Sequence, residues 1–516
     1  MASDNPPAMP DVVEHRGFIT LSVMLATIMQ ALDTTIANVA LPHMQGSMSA
    51  TQDQISWVLT SYIVAAAIFM PLTGFLTARF GRKRIFILSV IGFTVASMMC
   101  GAAQNLSQIV LFRMLQGVFG AALVPLSQAV LLDSYPKEKH GSAMAMWGMG
   151  VMVGPILGPM LGGWLTESYN WRWVFYINLP FGLLAWYGLG RYLKESAIEK
   201  SRKFDLMGFA FLAMGIGALQ MMLDRGESLD WFASREVLIE GVMAGLCFYL
   251  FIAHIFTDRQ PFIEPGLFKD RNFTLGLLAI FIVGIILLAT MALLPPFMQS
   301  LMSYPIIDVG FLLAPRGVGT MFAMFVVGKL SGRLDPRYTI IFGLSLTVLS
   351  LWEMTLFDTD ISGWDIVHNG MLQGLGLGFI FVPLSTITFS TLAQHYRNEG
   401  TALFSLMRNI GSSIGISVVI TNLAQNTQAN HAAFADYINP FSLPLRQAVE
   451  AGVYDLATPQ GLMVINAEVT RQAATLAYLQ DFRLMMWVTL CAVPMILLLR
   501  NPAKKISPVA VHAVME

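Results

Sequence analysis

The chain has 516 residues, of which 55% are hydrophobic and only 12% charged. A soluble domain carries about a quarter charged residues, so a water-soluble globular fold is excluded and an all-α polytopic membrane protein is expected. The net charge of −1 sums over two faces of a membrane and says nothing about partners; no nucleic-acid partner is expected.

Residues 1–16 are polar and lack the basic start, short apolar core and cleavage site of a signal peptide, so they read as a cytoplasmic tail. Fourteen apolar runs follow, near 17–38, 55–76, 84–103, 107–131, 142–165, 171–192, 204–223, 236–256, 272–295, 308–329, 338–357, 366–392, 402–424 and 483–499. Runs near twenty residues can cross a hydrocarbon core about 30 Å thick. An even number puts both termini on one side. With the termini in the cytoplasm, 22 of the 31 Lys and Arg residues fall on inner segments, six on outer ones and three within spans. That asymmetry is the positive-inside rule. Cys100, Cys247 and Cys491 all lie in apolar runs and read as small core residues, not as a disulfide or metal set.

The first span contains "QALDTTIANVALP" (30–42). Ala26, Gln30, Asp33, Thr34 and Ala37 share one helical face that is small and polar, so that face does not meet lipid. Asp33 lies about 22 Å along the helix from Phe18, past the midplane toward the outside. The second span ends in "GFLTARFGRKR" (74–84), four basic residues in a turn bounded by glycines. Such a turn reads either as a topology signal or as a conformational latch. On the fourth span Arg113, Gln116, Gly117, Gly120 and Ser127 form a face at a depth similar to that of Asp33. Asp33 and Arg113 are therefore either a structural ion pair or a proton site governed by access and by the guanidinium.

The fifth span carries Gly150, Gly154, Gly158 and Gly162 at every fourth position, with Pro155 and Pro159 between. This ridge suits either ordinary close helix packing or a seal between two halves. Away from their edges, the spans of the second half hold Arg316, Arg408 and the acid Glu353. Two in-span arginines suit hydrophobic weak acids or neutral amphiphiles better than dications, although arginines bonded to carbonyls serve helix packing equally. The candidate substrate set is Gln30, Gln116, Arg316, Glu353, Gln373 and Arg408. The outer segment 425–482 is the longest loop, with apolar residues at partly helical spacing.

The chain also repeats. "RMLQGVFGAALVPLS" (113–127) returns as "GMLQGLGLGFIFVPLS" (370–385), and "GFLTARFGRKR" returns weakly at 328–338. "HGSAMAMWGMG" returns as "EGTALFSLMRN", so each match lies eight spans on. Two six-helix bundles are expected, 17–195 and 266–500, the second including the external loop. Helices 7 and 8 (196–265) are inserted between them, and residues 501–516 form a second cytoplasmic tail. Parallel repeats of this size mark a rocking transporter with its site between the halves. There is no HExxH, GxSxG, P-loop or cysteine–histidine set, so neither an enzyme nor a direct ATP-driven pump is expected.

"LDTTIANVALP", "GFLTARFGRKR", "RMLQG", "GPILGPMLGG" and "WRWVFYINLP" (171–180), in that order, resemble the major facilitator superfamily, and within it the fourteen-span drug:proton antiporter branch of EmrB/QacA type. The resemblance spans almost the whole chain. It implies export of amphipathic compounds across the bacterial cytoplasmic (inner) membrane, driven by the proton gradient with no cofactor and no metal. It assigns Asp33 and Arg113 to proton coupling, Gly74, Arg79, Gly81 and Arg82 to the loop motif, and Gly154, Pro155, Gly158, Gly162 and Gly163 to the antiporter motif. Ala78 stands where the loop motif usually has an aspartate, so a latch through that residue is not expected here. The external segment resembles one that meets a periplasmic adaptor (a membrane fusion protein) leading to an outer-membrane channel; a self-packed cap is the other reading. A proton-coupled transporter for one metabolite, symporter or dedicated exporter, is the rival function.

Overall fold

The computed structural model describes residues 15–500 apart from 197, 199–202, 259, 332, 440, 453 and 457. Most of the two tails, and with them Lys200, Arg202, Arg259, Lys504 and Lys505, lie outside the described residues. Among the described residues the chain forms eighteen α-helices and no strand.

The first six predicted spans fall on nine helices. α1 (Arg16–Met48) is the first; α2 (Gln52–Phe69) and α3 (Leu72–Phe80) together make the second. The α2–α3 pair bends by 55° where Pro71 removes a backbone donor. α4 (Arg82–Ala102) is the third span, α5 (Leu106–Gly120) with α6 (Leu123–Ser134) the fourth, and α7 (His140–Ser168) the fifth. α8 (Trp173–Tyr176) and α9 (Asn178–Tyr192) share the sixth. α10 (Leu206–Arg225) and α11 (Arg235–Thr257) are the inserted pair. α12 (Arg271–Pro296), α13 (Ile306–Leu330), α14 (Pro336–Met354), α15 (Gly363–Ser390) and α16 (Arg397–Ala435) follow, then α17 (Leu443–Glu450) and α18 (Pro459–Leu497). Among the described residues, eleven helical stretches are long and apolar enough to cross a membrane, and the bent α2–α3 pair makes a twelfth. α9 and α14 stand at the other two predicted positions.

The same neighbours recur in both halves. α1 packs on α7 as α12 packs on α16, and α2 on α5 as α13 on α15. α1 meets α9 as α12 meets α18, and α4 meets α5 and α9 as α14 meets α15 and α18. Small residues let these helices approach backbone to backbone. A Cβ on Gly117 would lie 2.4 Å from the Tyr62 carbonyl oxygen, and one on Gly374 would lie 2.0 Å from that of Arg316. Gly117 of the first repeat and Gly374 of the second therefore seat equivalent helix crossings.

The inserted pair sits at the periphery. α10 packs against α2 of the first half and α16 of the second. Gln220 and Ser413 exchange hydrogen bonds of 2.9 and 3.1 Å across the second contact. α11 leans on α10 and turns Ile239, Val242, Leu246, Tyr249, Ile252 and Phe256 outward, each more than half exposed. That apolar stripe is what a lipid-facing helix presents.

The expected external loop is mostly helix. α16 continues to Ala435 and α18 already begins at Pro459, so only 436–458 separates them, and α17 lies within that stretch. Asn430 donates to the Ala473 carbonyl at 3.3 Å, and His431 shares a hydrogen bond with Asn466 at 3.1 Å, tying the two helices into a hairpin. The partly helical spacing of its apolar residues was the signal. The segment is too polar to register as a span, so counting by hydropathy ends both helices early.

Candidate functional site

The polar face of α1 closes around one carboxylate. Asp33 and Arg113 are each about 1% exposed, and Gln116 and Asn178 are fully buried. Arg113 enters from α5. Its Nη1 donates to Asp33 Oδ2 at 2.6 Å and to Gln116 Oε1 at 2.8 Å, and its Nε donates to the Val58 carbonyl at 3.2 Å. The guanidinium lies 4.4 Å from the centroid of the Tyr62 ring, whose hydroxyl accepts from Gln30 Nε2 at 3.2 Å. The other carboxylate oxygen, Oδ1, accepts from Gln116 Nε2 and from Asn178 Nδ2, both at 2.8 Å. Asn178 also donates to Ser97 Oγ at 2.9 Å, and Ser97 donates to the Phe175 carbonyl at 2.9 Å.

A buried ion pair repays its desolvation only when its remaining lone pairs and protons are satisfied. Here three side chains donate to Asp33 and nothing accepts from it, so the pocket is shaped for the ionised carboxylate. A proton arriving on either oxygen would face an N–H donor. Protonation therefore requires Arg113, Gln116 or Asn178 to move, which couples the charge of Asp33 to the packing of α1, α5 and α9.

The glycine ridge of α7 faces α1, within its own half. A Cβ on Gly154 would lie 2.4 Å from the Ala31 carbonyl oxygen, and one on Gly158 would lie 2.1 Å from Thr35 Oγ1. Thr35 Oγ1 in turn donates to the Gly154 carbonyl at 3.0 Å. Gly162 packs on Val39 more loosely, and a Cβ on Gly163 would meet nothing within 4 Å. Pro155 and Pro159 lie inside the helix, which continues through both. The ridge thus packs α7 on α1, and α16 uses Gly411 and Gly415 against α12 in the same way. Other residues of α7 meet the second half: Ser142 donates to the Gly328 carbonyl at 2.8 Å, and Trp147 stacks on Phe381 at 5.7 Å.

At the basic end of the bundle the turn after α3 joins the two halves. Asp133, closing α6, accepts from Arg82 on one oxygen and from Arg397, the first residue of α16, on the other. Gly74 lies against Glu399 of α16, where a Cβ would come 2.6 Å from Cγ. Gly81 has φ +95°, a conformation open to glycine, and it starts α4 beneath Glu195. The Glu195 carboxylate accepts from the Lys83 and Arg84 backbone N–H groups at 2.8 and 3.3 Å, capping the helix N-terminus. Arg79 is half-buried with no hydrogen-bond partner among the described residues. With Ala78 in the acidic position, the carboxylate that meets Arg82 comes from α6 instead.

In the second half the candidate residues do not form one cluster. Arg316 is 7% exposed, and its Nη2 donates to Thr290 Oγ1 at 2.9 Å and to the Leu287 carbonyl at 3.2 Å. Arg408 is half-buried with no hydrogen bond or ion pair to any described residue. Glu353 accepts from Asn369 at 2.9 Å, near His368, and joins neither arginine. Gln373 is fully buried, and neither of its amide atoms is hydrogen-bonded to a described residue.

The family model described as Major Facilitator Superfamily matches residues 23–416. The chain belongs to the major facilitator superfamily. This facilitator is 37% identical over 457 residues to the fatty acid resistance protein FarB of Neisseria gonorrhoeae, covering 88% of this chain and 90% of that one. It is 36% identical over 445 residues to the multidrug export protein EmrB of Escherichia coli K12, covering 86% of each chain. A second EmrB, from Haemophilus influenzae, is 34% identical over 461 residues, covering 88% and 90%. These relatives place the facilitator in the EmrB-type branch. Among solved structures, that of the human organic anion transporter MFSD10 (TETRAN) superposes with a TM-score of 0.58 at 13% identity, covering 93% of this chain and all of the other. That likeness is one of fold.

Three members of the facilitator's buried cluster escaped the sequence reading: Asn178, Ser97 and Tyr62. Asn178 sits inside "WRWVFYINLP", a motif quoted for the resemblance but given no role. A lone asparagine in an apolar run is the same kind of costly group as Asp33, and that was the available signal. Gln116, a candidate substrate residue, belongs to this cluster: its Nε2 donates to Asp33 and its Oε1 accepts from Arg113.

Proposed function

We propose that this facilitator is a proton-driven exporter of hydrophobic or amphipathic compounds that works by alternating access. The observation that carries the reading is the buried Asp33, bound on both carboxylate oxygens by donors from α5 and α9, in a chain whose relatives are named for multidrug export and fatty acid resistance. Asp33 takes a proton when its donors part and returns it when they close, so each proton moved requires a rearrangement of the first half. The halves meet at the basic end through Asp133–Arg397 and Ser142–Gly328. The positive-inside rule assigns that end to the cytoplasm, so the halves are joined on the inner side, with both termini inside. No cofactor beyond the proton gradient is needed.

The test is flux in proteoliposomes under an imposed pH gradient. Antiport predicts substrate moving against the direction of proton flow. Substrate and protons moving together would make the facilitator a symporter and overturn the reading.

The hairpin of α16, α17 and α18 is the proposed docking point for a periplasmic adaptor leading to an outer-membrane channel. What supports this is an apolar tip. Tyr437 is 73%, Phe441 90% and Met463 71% exposed, in a segment outside the predicted spans 402–424 and 483–499. Deleting 440–470 should abolish co-purification of the adaptor, and retained co-purification would rule out the contact.

A further inference from the structure

We propose that α10 is a strap between the two halves, anchored on the first and clipped to the second, and that the clip opens and closes in each transport cycle. The proposal goes beyond the export reading above and rests on it for alternating access.

Three residues of α10 share the face that matters. Gly217, Gln220 and Asp224 recur at 3-and-4 spacing in a run that is otherwise almost wholly apolar. An amide and a carboxyl on a lipid-facing side are costly, so this face needs protein against it. The structure turns it into the crevice between α2 and α16. Both helices pack on α10, and they have no packed interface of their own among the described residues.

The two sides of the crevice are held differently. Toward α2, Thr60 donates to the Asp224 carboxylate, and the Arg225 guanidinium lies 5.4 Å from the centroid of the Trp57 ring. A Cβ on Gly217 would come 3.2 Å from Ile68 Cδ1, so the two helices lie close there as well. Arg225 also pairs with Glu236, which ties the start of α11 to this anchor. Toward α16 the bonds are neutral. Gln220 and Ser413 each donate to the other, at 2.9 and 3.1 Å. Trp231, in the connection after α10, donates from Nε1 to Thr421 Oγ1 at 2.9 Å. A hydrogen bond to an ionised group is roughly twice as strong as one between neutral groups. The α16 side is therefore the one that yields.

Depth gives the clip its role. Gln220 and Ser413 lie about 21 and 24 Å from the inner ends of α10 and α16, so the clip belongs to the outer half of the protein. At the inner end the halves meet directly, through Asp133–Arg397 and Ser142–Gly328. Alternating access tilts one half against the other and changes the spacing of their outer ends. α10 cannot keep both sets of bonds through that movement. It rides with α2, while Gln220–Ser413 and Trp231–Thr421 part and re-form.

The experiment uses two cysteine pairs in the full chain in proteoliposomes, with Cys100, Cys247 and Cys491 replaced by serine. A short reducible bifunctional thiol reagent, ethane-1,2-diyl bismethanethiosulfonate, links each pair. The clip pair, Gln220→Cys/Ser413→Cys, should lose gradient-driven flux when linked and regain it on reduction. The anchor pair, Thr60→Cys/Asp224→Cys, should keep its flux when linked. Linking yield is a second readout that needs no flux. Arg397→Ala loosens the inner junction, so it should lower the yield of the clip pair and leave that of the anchor pair unchanged. Undiminished flux with the clip linked would overturn the proposal. Flux lost on linking the anchor would do the same, as would a clip yield that Arg397→Ala does not lower. If the unlinked proteins show no proton-linked flux, the export reading fails and the two yields alone decide the strap. If flux is proton-linked and linking the clip leaves it intact, the strap fails and the export reading stands.

Discussion

Replacing Asp33 by asparagine tests the cluster at its centre. The substitution keeps the shape and removes the charge, so Arg113, about 1% exposed, loses its only counter-ion among the described residues. Breaking a buried pair from one side costs about 3–5 kcal/mol. The new amide nitrogen would also face Arg113 Nη1, Gln116 Nε2 or Asn178 Nδ2, all donors, which forfeits at least one charge-assisted bond of about 1.5–3 kcal/mol. These two costs overlap, so about 3–5 kcal/mol is expected in all. The double variant Asp33→Asn/Arg113→Gln removes the orphaned charge and should recover most of the lost stability without recovering transport. The assay pairs thermal unfolding in detergent with substrate flux in proteoliposomes under an imposed pH gradient. Both variants should be inert to the gradient, and only the single variant should be strongly destabilised. A double variant no more stable than the sum of its singles would refute the ion-pair argument, since coupled partners are non-additive.

Further predictions concern packing, the latch and the hairpin. Gly154→Leu and Gly411→Leu should both prevent a stable fold, because each would drive a side chain into a carbonyl of the facing helix; a fold lost only with Gly154→Leu would restore a special role for the α7 ridge. Arg397→Ala should free Asp133 from the second half and favour the inward-open state. A cysteine pair at Ser142 and Gly328 should then cross-link less, and undiminished cross-linking would count against a latch. In the hairpin, the bonds from Arg471 and Gln472 hold the Glu468 carboxyl below its usual range. A depressed folded-state value means the contribution is present above the unfolded pKa, about 4.3, and is lost as the pH falls through the folded value. Hydrogen exchange over 459–475 should therefore be constant from pH 7 to about 5, after correction for intrinsic rates, and should rise only below about 4. Loosening already near pH 6 would contradict this.

The membrane architecture was legible because lipid imposes a simple demand: long apolar helices with basic residues left on one side. Asp33 and Arg113 were legible for the same reason, since a charge in an apolar run is conspicuous and both were predicted at similar depth. Asn178, Ser97 and Tyr62 were not, because uncharged polar groups cost less and are common enough in spans to pass without remark. The ridge on α7 was visible, yet its partner was not. Glycine spacing reports close approach but not which neighbour approaches, and only the structure turns it toward α1. The Asp133–Arg397 pair beside the basic turn escaped for a related reason. Asp133 and Arg397 are 264 residues apart, and nothing local marks either as the other's partner.

Flux driven by a pH gradient alone is the most direct test of the account. Proteoliposomes holding the purified protein should move substrate against an imposed proton flow, and those holding the Asp33→Asn protein should not respond to the gradient. Equal gradient-driven flux from both would place the coupling proton elsewhere and contradict the account.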